Sequence, residues 1–244
     1  MTRPAIQLYT LRTVDRPVIE LLELVADAGF EGVEFAYRIT DEETDVDAVL
    51  ETLEATGLDA ASAHVPIEAL EDDFAETVAF YDDLGVEHVV VPWLDADHFA
   101  SSGAIADAAT RLESLAADLA EHGMTLHYHN HDHEYTDLDG RTGFDAFVEA
   151  TDLPIELDLG LALAARDDVV ERLRSLGERS RLVHLKDYDA AAGKSVPVGE
   201  GDLDLDGIAE AVTTNDSEWL IYEYEGADPV ETLERAAART SDCC

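Results

Sequence analysis

The sequence predicts a (β/α)8 TIM barrel folded as a single domain, and three observations carry that prediction. Eight short apolar segments begin at residues 5, 32, 61, 88, 124, 154, 181 and 219, so strand starts recur every 27 to 38 residues, the length of one βα unit. Helical patterns lie between and after them with no segment left over, as a closed parallel barrel requires. No linker rich in Pro, Gly or Ser divides the 244 residues. Residues 1–240 therefore read as one barrel and 241–244 as a C-terminal tail. An open doubly wound sheet is the alternative. It usually has fewer strands, and nothing here resembles the Gly-rich phosphate loop such folds often carry.

The strand segments are AIQLY from Ala5, GVEFA from Gly32, ASAHV from Ala61, HVVVPW from His88, MTLHYHN from Met124, PIELDLG from Pro154, RLVHLKD from Arg181 and WLIYEYE from Trp219. The first helical pattern, PVIELLELVADAG, has Pro17 near its start and Gly29 at its end, where helices favour those residues. VDAVLETLEATG, FAETVAFYDDLG and ADAATRLESLAADLAEHG close in the same way at Gly57, Gly85 and Gly123. After the fifth strand, GFDAFVEATD, RDDVVERLRSLGERS, LDGIAEAVTT and DPVETLERAAART supply the remaining helices.

Side chains alternate along a strand, so each strand has two readable faces. In strand five His127 and His129 oppose Leu126 and Tyr128; in strand six Glu156 and Asp158 oppose Ile155, Leu157 and Leu159. In strand seven Leu182, His184 and Lys186 oppose Val183 and Leu185; in strand eight Trp219, Ile221, Glu223 and Glu225 oppose Leu220, Tyr222 and Tyr224. Gln7, Glu34, Ser62 and His64 extend the polar set through strands one to three. The apolar face must be the one the helices cover, so the polar face points into the barrel. His131 and His133 fall beyond the end of strand five. The polar residues gather at the C-terminal strand ends, where active sites of this fold sit.

The charge is unusual: 56 acidic residues against 15 basic ones give a formal net charge of −41, and Lys186 and Lys194 are the only lysines. The acids are scattered among regular apolar positions rather than blocked, which reads as a folded chain adapted to high salt and not as a disordered acidic tail. Such a charge opposes binding to a nucleic-acid backbone. No run of about 18 apolar residues suggests a membrane span, and the N-terminus lacks the apolar stretch of a signal peptide. Cys243 and Cys244, the only cysteines, cannot form a disulfide framework. A cytoplasmic enzyme is the expectation, with a homodimer left open.

Buried charges need partners or a metal. Asp158, His184 and Glu223 come from three consecutive strands and would offer oxygen, nitrogen and oxygen to a divalent ion, with His129 as a fourth ligand. That mix suits Mn, Mg, Co or Zn. A lone inward histidine is more often a satisfied core residue, which is the plain reading of His64 or His127 taken singly. Glu34 taken singly reads equally as half of an internal ion pair. The G-E-G of VPVGEGDLD, at Gly199–Gly201, is a weak phosphate signal and also reads as a turn before the helix at Leu205.

The segments IQLYTLR, GFEGVEFA, SAHVP, YHNHDHEY followed by GRTGFDAF, ELDLG, LVHLKDYD, VGEGDLD and YEYE occur in order over nearly the whole chain. Together they resemble the xylose isomerase-like TIM barrels, the sugar phosphate isomerase/epimerase superfamily, and in particular its branch with an H-N-H-D segment on strand five. The resemblance implies a divalent metal at the C-terminal mouth, held in the epimerases by Glu, Asp, His and Glu from strands five to eight. Asp158, His184 and Glu223 match the last three. His129 stands where the first glutamate is expected, so the pair of glutamates that exchanges protons on opposite faces of the substrate carbon is incomplete. Glu134 or Glu156 would have to compensate.

The leading reading is a metal-dependent isomerase or epimerase acting on a small carbohydrate: a sugar, sugar phosphate or keto-sugar. The metal would polarise a carbonyl and its neighbouring hydroxyl, acidifying the adjacent C–H and leading to an enediolate. Glu223, or Glu134 reaching in, would be the general base, and Lys186 would stabilise the enediolate. Glu34, His64, Asn130, His131 and Glu156 would bind substrate. The rivals are a dehydratase of a keto-sugar or keto-inositol through the same intermediate, as in the related inosose dehydratases, an endonuclease IV-like nuclease, and a non-catalytic sugar-binding barrel. The nuclease's several zinc ions need more ligands than the sequence offers.

The charge yields the first prediction. Screening weakens repulsion among roughly 50 carboxylates, so the melting temperature should rise as KCl increases from about 0.1 M to about 2 M. A flat or falling melting temperature over that range would contradict the salt-adapted reading.

Overall fold

The computed structural model describes residues 1–41 and 44–244. Eight parallel strands close into a barrel: β1 (Arg3–Gln7), β2 (Gly32–Phe35), β3 (Asp59–His64), β4 (His88–Val91), β5 (Thr125–His129), β6 (Ile155–Asp158), β7 (Leu182–Leu185) and β8 (Trp219–Tyr222). Each pairs with its neighbours in sequence, and β1 closes on β8 with Ile6 opposite Tyr222. All eight predicted strands are present; the apolar strings overran several ends, because Pro92, Asn130 and Lys186 already lie in loops.

The helices are α1 (Val18–Ala28), α2 (Val46–Thr56), α3 (Ile67–Asp72), α4 (Phe74–Asp83), α5 (Ser102–Ala120), α6 (Gly143–Ala150), α7 (Leu159–Ala164), α8 (Val169–Leu176), α9 (Leu205–Thr214) and α10 (Pro229–Asp242). Gly29 and Gly57 end α1 and α2 at φ of 102° and 75°, a left-handed turn that costs glycine nothing. Two short helices escaped the sequence reading. α3 precedes α4 over the third strand end, and α7 begins where the string DLG read as strand. The reason for α7 is local: Asp158 Oδ1 accepts from Leu161 N at 2.8 Å, an N-cap that ends the strand and starts the helix. Residues 241 and 242 complete α10, and Cys243 is buried, because its side chain continues the apolar stripe of that helix.

The barrel interior has two layers. Toward the N-terminal end of the strands, Ala5, Ala61, Val90, Leu182, Trp219 and Ile221 form a buried apolar plug. Toward the C-terminal end the inward row becomes polar: Gln7, Glu34, Ser62, His129, Glu156, Asp158, His184 and Glu223 are all buried. The register joins them laterally, with Gln7 opposite Glu34, Glu34 opposite Ser62, His129 opposite Glu156, and Asp158 opposite His184. The helix-facing residues fill the larger cluster between barrel and helices, Phe144, Phe147, Tyr128 and Leu112 among them. Among the described residues no helix is long and apolar enough to cross a membrane.

Trp219 seals the plug only because Gly32 leaves space. A Cβ at residue 32 would stand 2.7 Å from Trp219 Cη2, and a close-packed interior cannot absorb that overlap. Gly32→Ala should therefore lose about 1–3 kcal/mol of stability in urea unfolding. A variant as stable as the parent would show that the plug is looser than this packing implies.

Candidate active site and metal centre

The polar layer is built from strand ends, so backbone register sets its geometry. His129, last residue of β5, points inward as its alternation requires: Nδ1 lies 3.0 Å from Glu156 Oε2 and Nε2 lies 3.8 Å from Asp158 Oδ2. His184, from β7, has Nδ1 3.0 Å from Glu223 Oε2 and Nε2 2.7 Å from Glu34 Oε2. Its Nε2 is also 3.3 Å from Glu156 Oε2. His64, last in β3, reaches the same two carboxylates, 2.8 Å to Glu156 and 3.2 Å to Glu34. Lys186 sits above, 3.6 Å from Asp158 Oδ2 and 3.5 Å from Glu223 Oε2, and pairs with Glu225.

Packing four carboxylates into one buried layer forces their proton affinities apart. Burial, with the Glu34 carboxylate beside it, pushes Glu156 up to about 8. Burial opposes ionisation of Glu34 as well, but His64 and His184 facing it bring it down to about 2. Asp158 is raised by burial to about 6 against the pull of Lys186. Glu223 ends well below the carboxylate range: burial opposes its charge, but Lys186 and His184 outweigh that. Glu223 is thus the carboxylate held ionised at the mouth.

A divalent cation fits these residues. His129, Asp158, His184 and Glu223 hold ligand atoms within 4.8 Å of one another, all four buried. Asp158 shows the fit most plainly. Its Oδ1 is spent on the α7 cap, while Oδ2 is buried with no hydrogen-bond partner among the described residues and has the Lys186 ammonium only at ion-pair distance, 3.6 Å away, so a lone pair is left that a directly bound cation would satisfy.

A cavity of 460 Å³ opens above the layer, lined by His64, His129, His131, Lys186 and Glu223 of the expected residues, and by Gln7, Tyr9, Pro66, Pro92 and Glu225 besides. Six expected residues are not in that lining: Asp158 and His184, buried in the layer with the other metal donors, and four more. Glu34 and Glu156 are fully buried beneath it and held by the imidazoles. Asn130 bridges strands: its Oδ1 accepts from Asp158 N at 2.9 Å, so its amide fixes the end of β6. Glu134 is on the outer side of β5, where its Oε1 accepts from the Tyr128 hydroxyl at 2.5 Å and from His131 N at 3.0 Å. That turn closes on itself as a capping box, and burial raises the Glu134 carboxyl well above its usual range. Glu134 therefore does not reach in.

The remaining signals resolve locally. His127 is a core residue, its Nε2 3.0 Å from His88 Nδ1. His133 turns out of the barrel to Leu94 O at 3.0 Å, and the exposed Trp93, which sequence reading passed over, lies 4.5 Å from the ring centres of both His131 and His133. In the G-E-G loop, the Asp187 carboxylate accepts from Gly199 N at 2.8 Å, Gly201 N at 2.9 Å, Leu203 N at 3.3 Å and Tyr188 N at 2.9 Å. The chain's own carboxylate thus occupies the amides that a phosphate would use. Alternation had already put Glu225 on the face of Glu223, without giving it a role; nothing in the string marks Asp187 as the anchor of a loop that begins twelve residues later.

Glu134→Gln checks the placement of Glu134. The amide keeps both accepted hydrogen bonds, so turnover should stay within about twofold of the parent, whereas removing a general base costs about 10² to 10⁴-fold. A loss of that size would return Glu134 to the reacting centre.

The model of one protein family, described as xylose isomerase-like TIM barrel, matches residues 22–243. Curated proteins gave no match. Among solved structures, a sugar phosphate isomerase/epimerase from Parabacteroides distasonis superposes with a TM-score of 0.83 at 20% identity, covering 100% of this chain and 96% of that one. The probable 3-DHS dehydratase AsbF of Bacillus anthracis gives 0.78 at 16%, covering 99% of each chain. The IOLI protein with a binding zinc atom gives 0.73 at 16%, covering 99% of this chain and 96% of that one. At these identities the likenesses speak for the fold, and the family match spans most of the sequence: the chain belongs to the xylose isomerase-like TIM-barrel family.

Proposed function

We propose that the protein is a divalent-metal-dependent isomerase of a neutral keto-sugar, working through an enediolate of the substrate. The observation that carries this is the disposition of the mouth: Glu223 and Glu225 lie on the same strand end, and imidazoles stand where a facing carboxylate would be. Epimerisation by two carboxylates needs one on each face of the carbon. Moving a proton between two adjacent carbons on one face needs a single base, and Glu223, which borders the cavity and is kept ionised by Lys186 and His184, is placed to serve as that base. His129, Asp158, His184 and Glu223 would hold the cation, which when bound supplies Lewis acidity to the substrate carbonyl. The Lys186 ammonium, next to Glu223, balances negative charge growing on the substrate oxygen. His64 and His131 border the cavity as hydroxyl partners. Occupation of the G-E-G amides by Asp187 favours an unphosphorylated sugar over a sugar phosphate. The salt-adapted, cytoplasmic character read from the composition belongs to the same proposal.

The same base also serves elimination of a β-hydroxyl, so a dehydratase is the second reading; a product lighter by one water distinguishes it from an isomer of equal mass.

Glu223→Gln separates binding from proton transfer. The amide keeps the shape and an oxygen donor, so metal affinity should fall modestly. Exchange of the substrate's α-hydrogen with deuterated water should fall by about 10² to 10⁴-fold. Asp158→Asn should reduce metal binding and exchange together. Near-parental exchange in a metal-loaded Glu223→Gln protein would remove Glu223 as the base.

A further inference from the structure

Beneath the mouth, a second set of donors converges on the far side of the same two imidazoles. His129 and His184 each turn one ring nitrogen upward, toward Asp158 and Glu223, and the other downward. Below, His184 Nε2, His64 Nε2, Glu34 Oε2 and Glu156 Oε2 approach one another at 2.7, 2.8, 3.2 and 3.3 Å, and His129 Nδ1 stands 3.0 Å from the Glu156 oxygen. The rings of His64 and His184 are stacked within 7° of parallel, so their Nε2 atoms face the same space. Zinc bonds of about 2.0–2.1 Å to His and carboxylate place tetrahedral ligands about 3.3 Å apart, close to these separations.

The charge argument favours this lower position more than the upper one. Asp158 and Glu223 already have the Lys186 ammonium within 3.6 Å. Among the described residues, Glu34 and Glu156 are fully buried and have no Lys or Arg as ion-pair partners; their partners are the imidazoles, with Gln7 and Ser62 donating to Glu34. Glu156 Oε1 is buried with no hydrogen-bond partner among the described residues. Two adjacent buried carboxylates whose only cationic partners are titratable imidazoles remain expensive, and three imidazole nitrogens aimed at them are ligands that suit zinc.

We propose that a second divalent cation, Zn²⁺ by this donor chemistry, binds between His64, His184, Glu34 and Glu156, beneath the mouth site, the His184 ring bridging the two sites as an imidazolate whose proton is released to solvent when both cations are bound. His64 and His129 also line the mouth cavity, which gives the ion a way in. The second site stands on its own donors and does not depend on the isomerase reading.

The test is metal stoichiometry of the full chain, stripped with chelator, reloaded with Zn²⁺ alone and assayed by elemental mass spectrometry, with circular dichroism reporting whether each variant is folded. The expected result is two equivalents for the parent, one for Glu34→Gln and for His64→Gln, and one for Asp158→Asn. One equivalent in the parent, lost in Asp158→Asn and retained in both lower variants, would overturn the second site while leaving the mouth site standing. One equivalent lost in His64→Gln and retained in Asp158→Asn would uphold the lower site and sink the mouth site instead. Co²⁺ titration of the unmutated parent gives a reading that needs no variant. Two successive absorption steps support two sites, and a single step saturating at one equivalent overturns the proposal.

Discussion

Four carboxylates buried inside one barrel are the constraint on which the rest of this structure depends. Glu34, Glu156, Asp158 and Glu223 are all buried, and an uncompensated buried charge costs several kcal/mol or is neutralised by a shift in protonation. The layer shows both responses. Glu34 and Glu223 stay ionised against imidazole and ammonium partners, while Glu156 and Asp158 are pushed upward. A fold that needed only stability would replace such a layer with apolar side chains like those of the plug beneath it. Its presence is therefore best understood as a stored affinity for positive charge.

The architecture serves that layer. The apolar plug around Trp219 closes one end of the barrel, so the polar groups are open only toward the C-terminal mouth. Strand alternation aims the donors inward, and the loop contacts hold the strand ends in place: Asn130 ties β6 to β5, Asp158 caps α7, and Asp187 gathers the loop that follows β7. These three polar side chains accept hydrogen bonds from backbone N–H groups. Each converts a flexible strand end into a fixed platform for its neighbour in the layer, which is what a metal site or a proton-transfer site demands.

Much of this was legible in the sequence. Eight recurring strands and the inward sets on β5 to β8 follow from period-two alternation, because that signal is local. His129, Asp158, His184, Lys186 and Glu223 were placed together by the same reasoning. What escaped was whatever depends on a long-range partner. Glu134 is three residues from His131, which lines the mouth cavity, yet a turn folds it back on Tyr128. Asn130 looked like a substrate ligand and is consumed by the backbone of the next strand. Glu34 and Glu156 were read as substrate contacts because alternation gives the face a side chain takes and not its depth below the mouth. The short helix α7 was hidden because LGLALA is equally apolar as strand or helix, and only the cap at Asp158 decides.

The central claim is that the buried carboxylate and imidazole layer is built around divalent cations. Thermal melting of the full chain before and after removal of metal by a chelator, at constant high KCl, addresses it most directly. A cation that binds only the folded chain stabilises it by mass action. The stripped protein should melt at a lower temperature and recover as Zn²⁺ or Mn²⁺ is added back, with a midpoint that climbs with metal concentration. A melting temperature indifferent to both stripping and re-addition would mean that the layer is satisfied by its own hydrogen bonds, and the metal-centred account would fail.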